Sequence, residues 1–293
     1  MFTGTYTAIA TPFRNGAVDE PALKELVRRQ IRGQVDGVVP VGTTGESPTV
    51  DATEHIRIIE VTVAAAKGSP LQVIAGTGAN STAEAIDLTR RAEAVGAHGS
   101  LQVAPYYNRP SQGGLFEHFQ AIAAATKLPI LLYSIPGRCG VEIGVDTCAR
   151  LAAVCRNIVG IKEAGGNADR VSQLRAACGP KFTILSGDDA LTLPFMSVGA
   201  SGVISVASNV APKQVVAMVR AFAAGDLKGA LRRHEQLYPL FKDLFLESNP
   251  VPVKVALELL GVGTSEVRLP LVAMSSSNRE ILIATLKKVG LLK

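Results

Sequence analysis

The sequence predicts an α/β protein in which a parallel (β/α)8 barrel of the TIM type is followed by a small C-terminal helical domain. Three observations favour this fold: eight short β-rich runs, helical segments between them, and the near-continuous apolar character of the runs. Parallel strands covered on both faces have such sequences, and roughly 250 residues is the usual length of a barrel. In chain order the runs are TYTAIATPF, DGVVPVGTT, LQVIAGTG, GSLQVAPYY, LPILLYSIP, IVGIKEAGG, FTILSGDD and SGVISVASN, beginning at residues 5, 36, 71, 99, 128, 158, 182 and 201.

The segments between the runs show the periodicity of amphipathic helices. Ser81 and Glu84 form an S-x-x-E capping box, which is a common start of a helix. A doubly wound open sheet would also alternate strands and helices, but it normally has a glycine-rich phosphate turn after its first strand. Here GTGANS follows the third run, with Ser81 where the last glycine should stand, so the barrel is preferred. Ahead of the second run, four apolar residues recur at helical spacing: Leu23, Leu26, Val27 and Ile31.

The strand pattern stops after Asn209, and the rest of the sequence is helical. The segments GDLKGALRRHEQLYPLFKDLF and NPVPVKVALELLG both have helical patterns. We therefore expect a barrel over residues 1–224 and a helical domain over residues 225–293.

Composition and charge exclude several classes of protein. With 293 residues, 47% of them hydrophobic, the chain is long enough to bury a large core. The 30 Lys and Arg exceed the 25 Asp and Glu, but they are scattered in segments such as LVRRQIRG, which disfavours binding to nucleic acid. The opening segment MFTGTYTAIATPFRNG lacks a signal-peptide pattern, and there is no run of eighteen apolar residues. We expect a soluble, cytoplasmic protein with no nucleic-acid or membrane partner.

Cysteine and histidine spacing gives no indication of a metal site. None of the cysteines has C-x-x-C spacing, so free, buried thiols in a reducing compartment are expected. The histidines are not spaced as metal ligands, and the sequence requires neither a metal nor a nucleotide cofactor. These residues are Cys139, Cys148, Cys155 and Cys178, with His55, His98, His118 and His234.

Lys162 stands inside the apolar run IVGIKEAGG, where an unpaired ammonium would be costly to bury. Desolvation lowers the pKa of a buried lysine, and a neutral amine can attack a carbonyl to form a Schiff base. The structural alternative is a salt bridge to Glu163 or to another carboxylate. Adjacent residues of a strand face opposite sides, so Glu163 is a poor partner.

Tyrosines follow two of the predicted strands, at the barrel end where active sites lie. Tyr133 ends the fifth run and is a candidate general acid or base, with a packed aromatic ring as the structural alternative. Tyr106 and Tyr107 raise the same two possibilities. Because these two are adjacent, we expect them to point in opposite directions.

Candidate groups for binding carboxylates follow the second and fifth strands. Thr43 and Thr44 stand between two glycines, and their hydroxyl and backbone N–H groups are suited to holding a carboxylate. An ordinary turn is the alternative, and the missing Gly-Lys-Ser/Thr excludes a P-loop. Arg138 follows IPG and could hold a second carboxylate bidentately, although an exposed arginine is often only a solubility residue.

Six motifs in order resemble the pyruvate-dependent class I aldolase superfamily, and within it the dihydrodipicolinate synthase family. The resemblance covers essentially the whole chain and implies condensation of pyruvate with L-aspartate 4-semialdehyde, without an external cofactor. The motifs are GTTGES at 42–47, YYNRPSQ at 106–112, YSIPGR at 133–138, GIKEA at 160–164, SGDD at 186–189 and NPVPVK at 249–254.

The resemblance implies a role for each matching residue. Lys162 would form the Schiff base, and Tyr133, Thr43 and Tyr107 would relay protons, with Tyr107 supplied by a neighbouring subunit of a homotetramer. The implied substrate-binding positions are Thr44 and the Ile204 backbone for pyruvate, Arg138 for the semialdehyde carboxylate, and Gly187 as a pocket-lining residue.

The resemblance also implies an allosteric site for L-lysine. Glu84 could accept its ammonium, although the same residue completes the capping box and needs no ligand. Pro48 and Ala52 differ from lysine-sensitive relatives, so weak and partial inhibition is expected. The matching positions are Ser47, His55, Asn80, Glu84 and Tyr106.

Two other functions share part of this pattern. N-acetylneuraminate and keto-deoxy-sugar aldolases have the same lysine and tyrosine, whereas Arg138 and the YYNRP segment favour the synthase. A non-catalytic small-molecule sensor is disfavoured because the full set of catalytic side chains is present. Gly165 and Cys139 depart from the residues common in the family, without removing a catalytic group.

Overall fold

The structure, a computed structural model that describes residues 2–293, contains a closed sheet of eight parallel strands. Strands adjacent in the sequence are adjacent in the sheet, as expected for a (β/α)8 barrel. The predicted fold class is therefore confirmed, and the doubly wound open sheet is excluded. The barrel strands are β1 (Gly4–Ala8), β2 (Gly37–Val39), β3 (Gln72–Gly76), β4 (Gly99–Val103), β5 (Ile130–Ser134), β6 (Ile158–Glu163), β7 (Thr183–Ser186) and β8 (Gly202–Ser205).

Twelve α-helices are described within residues 2–293, and most of them connect successive barrel strands. A short antiparallel hairpin, Phe13–Arg14 with Ala17–Val18, follows β1 and was not predicted. The helices are α1 (Glu20–Arg32), α2 (Ala52–Ala66), α3 (Thr82–Ala94), α4 (Gln112–Ala124), α5 (Pro136–Cys139), α6 (Val145–Val154), α7 (Ala168–Cys178), α8 (Thr192–Ser197), α9 (Pro212–Ala223), α10 (Leu227–Asp243), α11 (Val251–Leu259) and α12 (Ser276–Lys288).

The predicted local signals agree with the structure, with one exception. Ser81 caps α3, and its Oγ accepts a hydrogen bond from the Glu84 N–H at 3.4 Å. In α1 the buried face includes Gln30, whereas Ile31 is only half-buried. Gln30 can lie in the interior because its Oε1 accepts a hydrogen bond from the Thr7 hydroxyl at 2.8 Å.

The chain forms two compact units. The first comprises residues 2–3 and 74–204, and its buried core includes Phe119, Leu132 and Ile161. The second comprises residues 4–73 and 205–293, which include α10, α11 and α12. The division at residue 225 between a barrel and a helical domain stays a prediction.

All four cysteines are free, and three of them are buried; Cys178 is half-buried. Burial raises the pKa of Cys139 to about 11. No helix in residues 2–293 is both long enough and apolar enough to cross a bilayer. Over the same residues, no group of three or more His, Cys, Asp or Glu side chains could hold a metal ion.

Candidate active site

Lys162 and Tyr133 lie side by side on adjacent strands. They are register partners in the β5–β6 pair, so their side chains project from the same face of the sheet. Lys162 is 6% exposed, and its Nζ lies 4.1 Å from the centroid of the Tyr133 ring. The arrangement places an amine against a phenol at the carboxyl end of the barrel strands, where barrel enzymes have their active sites.

Lys162 has no salt bridge among the described residues 2–293. Glu163, the partner considered from the sequence, faces away and pairs with Arg170, whose Nε is 2.8 Å from its Oε2. Burial raises the pKa of Glu163, and the charge of Arg170 opposes that shift. The ion pair between Lys162 and Glu163 is therefore absent, because strand alternation separates them.

Gly187 gives the Lys162 side chain its space. Its N–H donates to the Glu163 carbonyl at 2.7 Å, which fixes the start of the loop after β7. A Cβ at Gly187 would lie 3.1 Å from Cε of Lys162 and 2.7 Å from Cβ of Ala164. Both distances are shorter than ordinary van der Waals contact, so a side chain here would crowd Ala164 and the lysine. Ile204 is fully buried in β8.

Arg138 lies in α5, the single turn that follows β5, and its side chain is exposed. The loop after it is held from two directions. Arg109 donates from Nε to the Gly140 carbonyl at 3.0 Å, and Arg170 donates from Nη2 to the Ile143 carbonyl. Arg138 therefore extends from a fixed turn rather than from a loose loop.

The adjacent Tyr106 and Tyr107 differ in environment. Tyr107 is 91% exposed and has a left-handed backbone, with a φ of 72°. Tyr106 is less exposed, and its carbonyl accepts a hydrogen bond from Asn80 Nδ2 at 3.2 Å.

Three of the five residues predicted to bind L-lysine are close together in the first unit. Asn80 contacts Tyr106 as described, and burial, with a contribution from the charge of Glu84, raises the pKa of Tyr106. Ser47 and His55 belong to the second unit. Ser47 begins a short 3-10 helix, and His55 is buried in the first turns of α2.

The loop after β2, residues 40–46, contains Thr43 and Thr44 and is called the threonine loop below. Its backbone is strained and well anchored. Val41 and Glu46 have left-handed φ values of 52° and 57°, which cost about 1–3 kcal/mol each in residues other than glycine. Thr43 is half-buried, whereas Thr44 is buried and its Oγ1 accepts a hydrogen bond from Asn249 Nδ2 at 3.0 Å. Strain of this kind persists only where the surroundings fix the backbone.

Lys254 is a second buried lysine, which we did not predict. Its Nζ lies 2.6 Å from Oε1 of Glu46 and 4.1 Å from the centroid of the Phe13 ring. Burial lowers the pKa of Lys254, and the Glu46 carboxylate opposes that shift. The signal that singled out Lys162, a lysine within an apolar run, also applies to VPVKVALELL. Only the structure distinguishes the two, because Lys254 has a carboxylate partner.

A parallel barrel with a buried, unpaired lysine on its sixth strand, beside the tyrosine of the fifth, defines a Schiff-base-forming aldolase of class I. The profile of the dihydrodipicolinate synthetase family matches residues 1–289. The chain belongs to this family.

Named relatives and solved structures match this chain over nearly its full length. The chain is 50% identical over 292 residues to the 4-hydroxy-tetrahydrodipicolinate synthase of Geotalea uraniireducens, covering 100% of both chains. The synthase structure from Methylacidiphilum fumariolicum SolV is 57% identical, with a TM-score of 0.97 over 99% of this chain and 96% of that one. A synthase from Cyanidioschyzon merolae, solved with lysine bound, is 41% identical, with a TM-score of 0.96 over 99% of each chain.

Proposed function

We propose that this chain condenses pyruvate with L-aspartate 4-semialdehyde, with Lys162 as the residue that binds pyruvate covalently. The activity is that of a 4-hydroxy-tetrahydrodipicolinate synthase, a lyase of diaminopimelate and lysine biosynthesis. The observation that carries the assignment is the position of Lys162, buried without a carboxylate partner and packed on Tyr133.

The chemistry begins with attack of the Lys162 amine on the ketone carbon of pyruvate. Loss of water gives an imine, and loss of a proton from the methyl group gives an enamine. The enamine carbon attacks the aldehyde of the second substrate. The amino group of that substrate then displaces Lys162 and closes the ring, which restores the free amine.

Each of these steps moves a proton, and Tyr133 is the proposed carrier nearest the lysine. Its phenol can donate a proton to the departing hydroxyl and recover it later if it is linked to a proton source. Thr43 and Tyr107 complete the relay by their places in the family motifs. Tyr107 would come from a neighbouring subunit, and its 91% exposure supports this role.

The two substrates both carry carboxylates, and different groups are proposed to bind them. Thr44 and the backbone of Ile204 hold the carboxylate of pyruvate. Arg138 holds the carboxylate of the semialdehyde, for which a guanidinium offers two parallel donors. Gly187 keeps the space around Lys162 open.

A comparison of substrates tests the proposed function. Purified protein should consume pyruvate rapidly only when L-aspartate 4-semialdehyde is present. Parallel reactions with N-acetylneuraminate and 2-keto-3-deoxygluconate serve as controls. Faster cleavage of either sugar acid would indicate a different aldolase, and no turnover of any substrate would indicate a sensor.

The assembly and its regulation are also part of the proposal. A cytoplasmic homotetramer, a dimer of dimers, would let one subunit supply Tyr107 to another. L-lysine is proposed to bind near Asn80, Glu84 and Tyr106 and to inhibit weakly and partially. Titrating L-lysine at saturating pyruvate, with Glu84→Ala as the comparison, tests this; inhibition that survives in the variant would refute it.

A further inference from the structure

The NPVPVK motif at residues 249–254 has no role in the chemistry proposed above, yet it contacts the threonine loop twice. Asn249 Nδ2 lies 3.0 Å from Thr44 Oγ1, and Lys254 Nζ lies 2.6 Å from Glu46 Oε1. All four side chains are buried. Polar contacts buried to this degree are specific in geometry, since water cannot replace a lost partner.

The direction of the hydrogen bond to Thr44 determines what its hydroxyl can do next. A threonine hydroxyl has one hydrogen to donate and two lone pairs that accept. Because the Asn249 amide donates to Oγ1, one lone pair is used and the hydrogen remains available for another partner. A carboxylate can only accept hydrogen bonds, so it needs that hydrogen.

The neighbouring carboxylate, that of Glu46, takes its hydrogen bonds from other groups. Both oxygens of Glu46 already have donors, Oε1 from Lys254 Nζ at 2.6 Å and Oε2 from the Arg268 N–H at 3.1 Å. The motif therefore supplies a neutral donor to Thr44 and a cation to Glu46, each suited to its partner.

We propose, on the basis of the function assigned above, that Asn249 is a positioning residue that directs the Thr44 hydroxyl to donate to the carboxylate of pyruvate. Asn249 does not itself touch the substrate. It acts on pyruvate affinity through Thr44 and has no part in binding the semialdehyde.

Two substitutions of Asn249 separate this role from a merely structural one. Asn249→Asp keeps the shape but replaces the donor with an acceptor, so Thr44 would donate to Asp and present a lone pair to pyruvate. Asn249→Leu removes the donor and leaves the hydroxyl free to turn. We expect Asp to raise the pyruvate concentration for half-maximal borohydride trapping about ten- to a hundredfold, and Leu only about two- to tenfold. An effect of Asn249→Leu equal to or larger than that of Asn249→Asp would refute the proposal.

A double-mutant cycle provides the second test and does not depend on the Asp variant folding. In a Thr44→Val background there is no hydroxyl to direct, so adding Asn249→Leu should leave half-maximal trapping unchanged. If Thr44→Val and Asn249→Leu each raised the pyruvate concentration for half-maximal trapping, and the double variant showed the product of the two effects, the proposal would be refuted. It would also be refuted if the Asn249 variants raised KM for the semialdehyde as much as they weaken binding of pyruvate. Wild-type protein that traps no pyruvate would instead refute the proposed function, which keeps the two failures distinct.

Discussion

Tyr133 and Lys162 are register partners on neighbouring strands, with Nζ of Lys162 4.1 Å from the centroid of the Tyr133 ring. Tyr133→Phe keeps the ring and removes only the hydroxyl. We expect kcat to fall on the order of 10²–10⁴, the range for loss of a positioned proton-transfer group, with the fold intact. Steady-state kinetics measure this, and Tyr238→Phe on the exposed face of α10 is the control. A near-normal kcat in Tyr133→Phe would show that the proton comes from elsewhere.

Gly187→Ala should reduce formation of the imine while leaving the protein folded. The added Cβ would lie 2.7 Å from Cβ of Ala164 and 3.1 Å from Cε of Lys162, so the loop that carries Gly187 or these neighbours must shift and the space around the lysine is reduced. Gly113→Ala is the matched control, because its Cβ would meet only Ser111 Oγ, at 3.8 Å. The amount of pyruvate trapped by borohydride at fixed time compares the two. Equal trapping in both variants would contradict the assigned role of Gly187.

Arg170→Met should destabilise the protein strongly. The substitution leaves Glu163, which is fully buried, without its cation, and breaking a buried pair costs about 3–5 kcal/mol. Arg91→Met removes an exposed ion pair with Asp87, for which a loss of at most about 1 kcal/mol is expected. Urea unfolding of both variants gives the two free energies. Similar losses would mean that the Glu163 pair adds little to stability.

His118 should make the fold sensitive to mild acid. Burial lowers its pKa from 6.5 to about 4, while in the unfolded chain the value stays near 6.5. As the pH falls, the unfolded state therefore binds the proton first. The contribution of neutral His118 to the free energy of unfolding is fully present above pH 6.5. It falls by up to about 3 kcal/mol as the pH decreases from 6.5 to about 4. The free energy of unfolding, measured at several pH values, should fall less steeply with decreasing pH in His118→Gln than in the wild type. Equal slopes in the two proteins would contradict the assigned contribution of His118.

The barrel and its polar strand ends were predictable because both are local properties of the sequence. Each strand is a short apolar run, and the residue types change where a run ends, as at Lys162, Tyr133 and Thr43. The period-2 alternation of a strand also predicted that Glu163 would not be the partner of Lys162. The structure confirmed that expectation by placing Arg170 against Glu163.

Contacts between distant parts of the chain were not predictable from local patterns. Glu46 and Lys254 are 208 residues apart, and Thr44 and Asn249 are 205 apart, so nothing near either residue indicates its partner. The buried Gln30 illustrates the same limit on a smaller scale. A polar residue can replace Ile31 on the buried face of α1 because Thr7, on a barrel strand, supplies its hydrogen-bond partner.

The most direct test of the central claim is borohydride reduction in the presence of pyruvate, followed by peptide mapping. Reduction converts the transient imine to a stable secondary amine, so the lysine that formed it is identified. We expect one pyruvyl adduct per chain on Lys162, none on the paired and buried Lys254, and none in Lys162→Arg, whose guanidinium stays protonated. An adduct on any other lysine, or no adduct, would contradict the account.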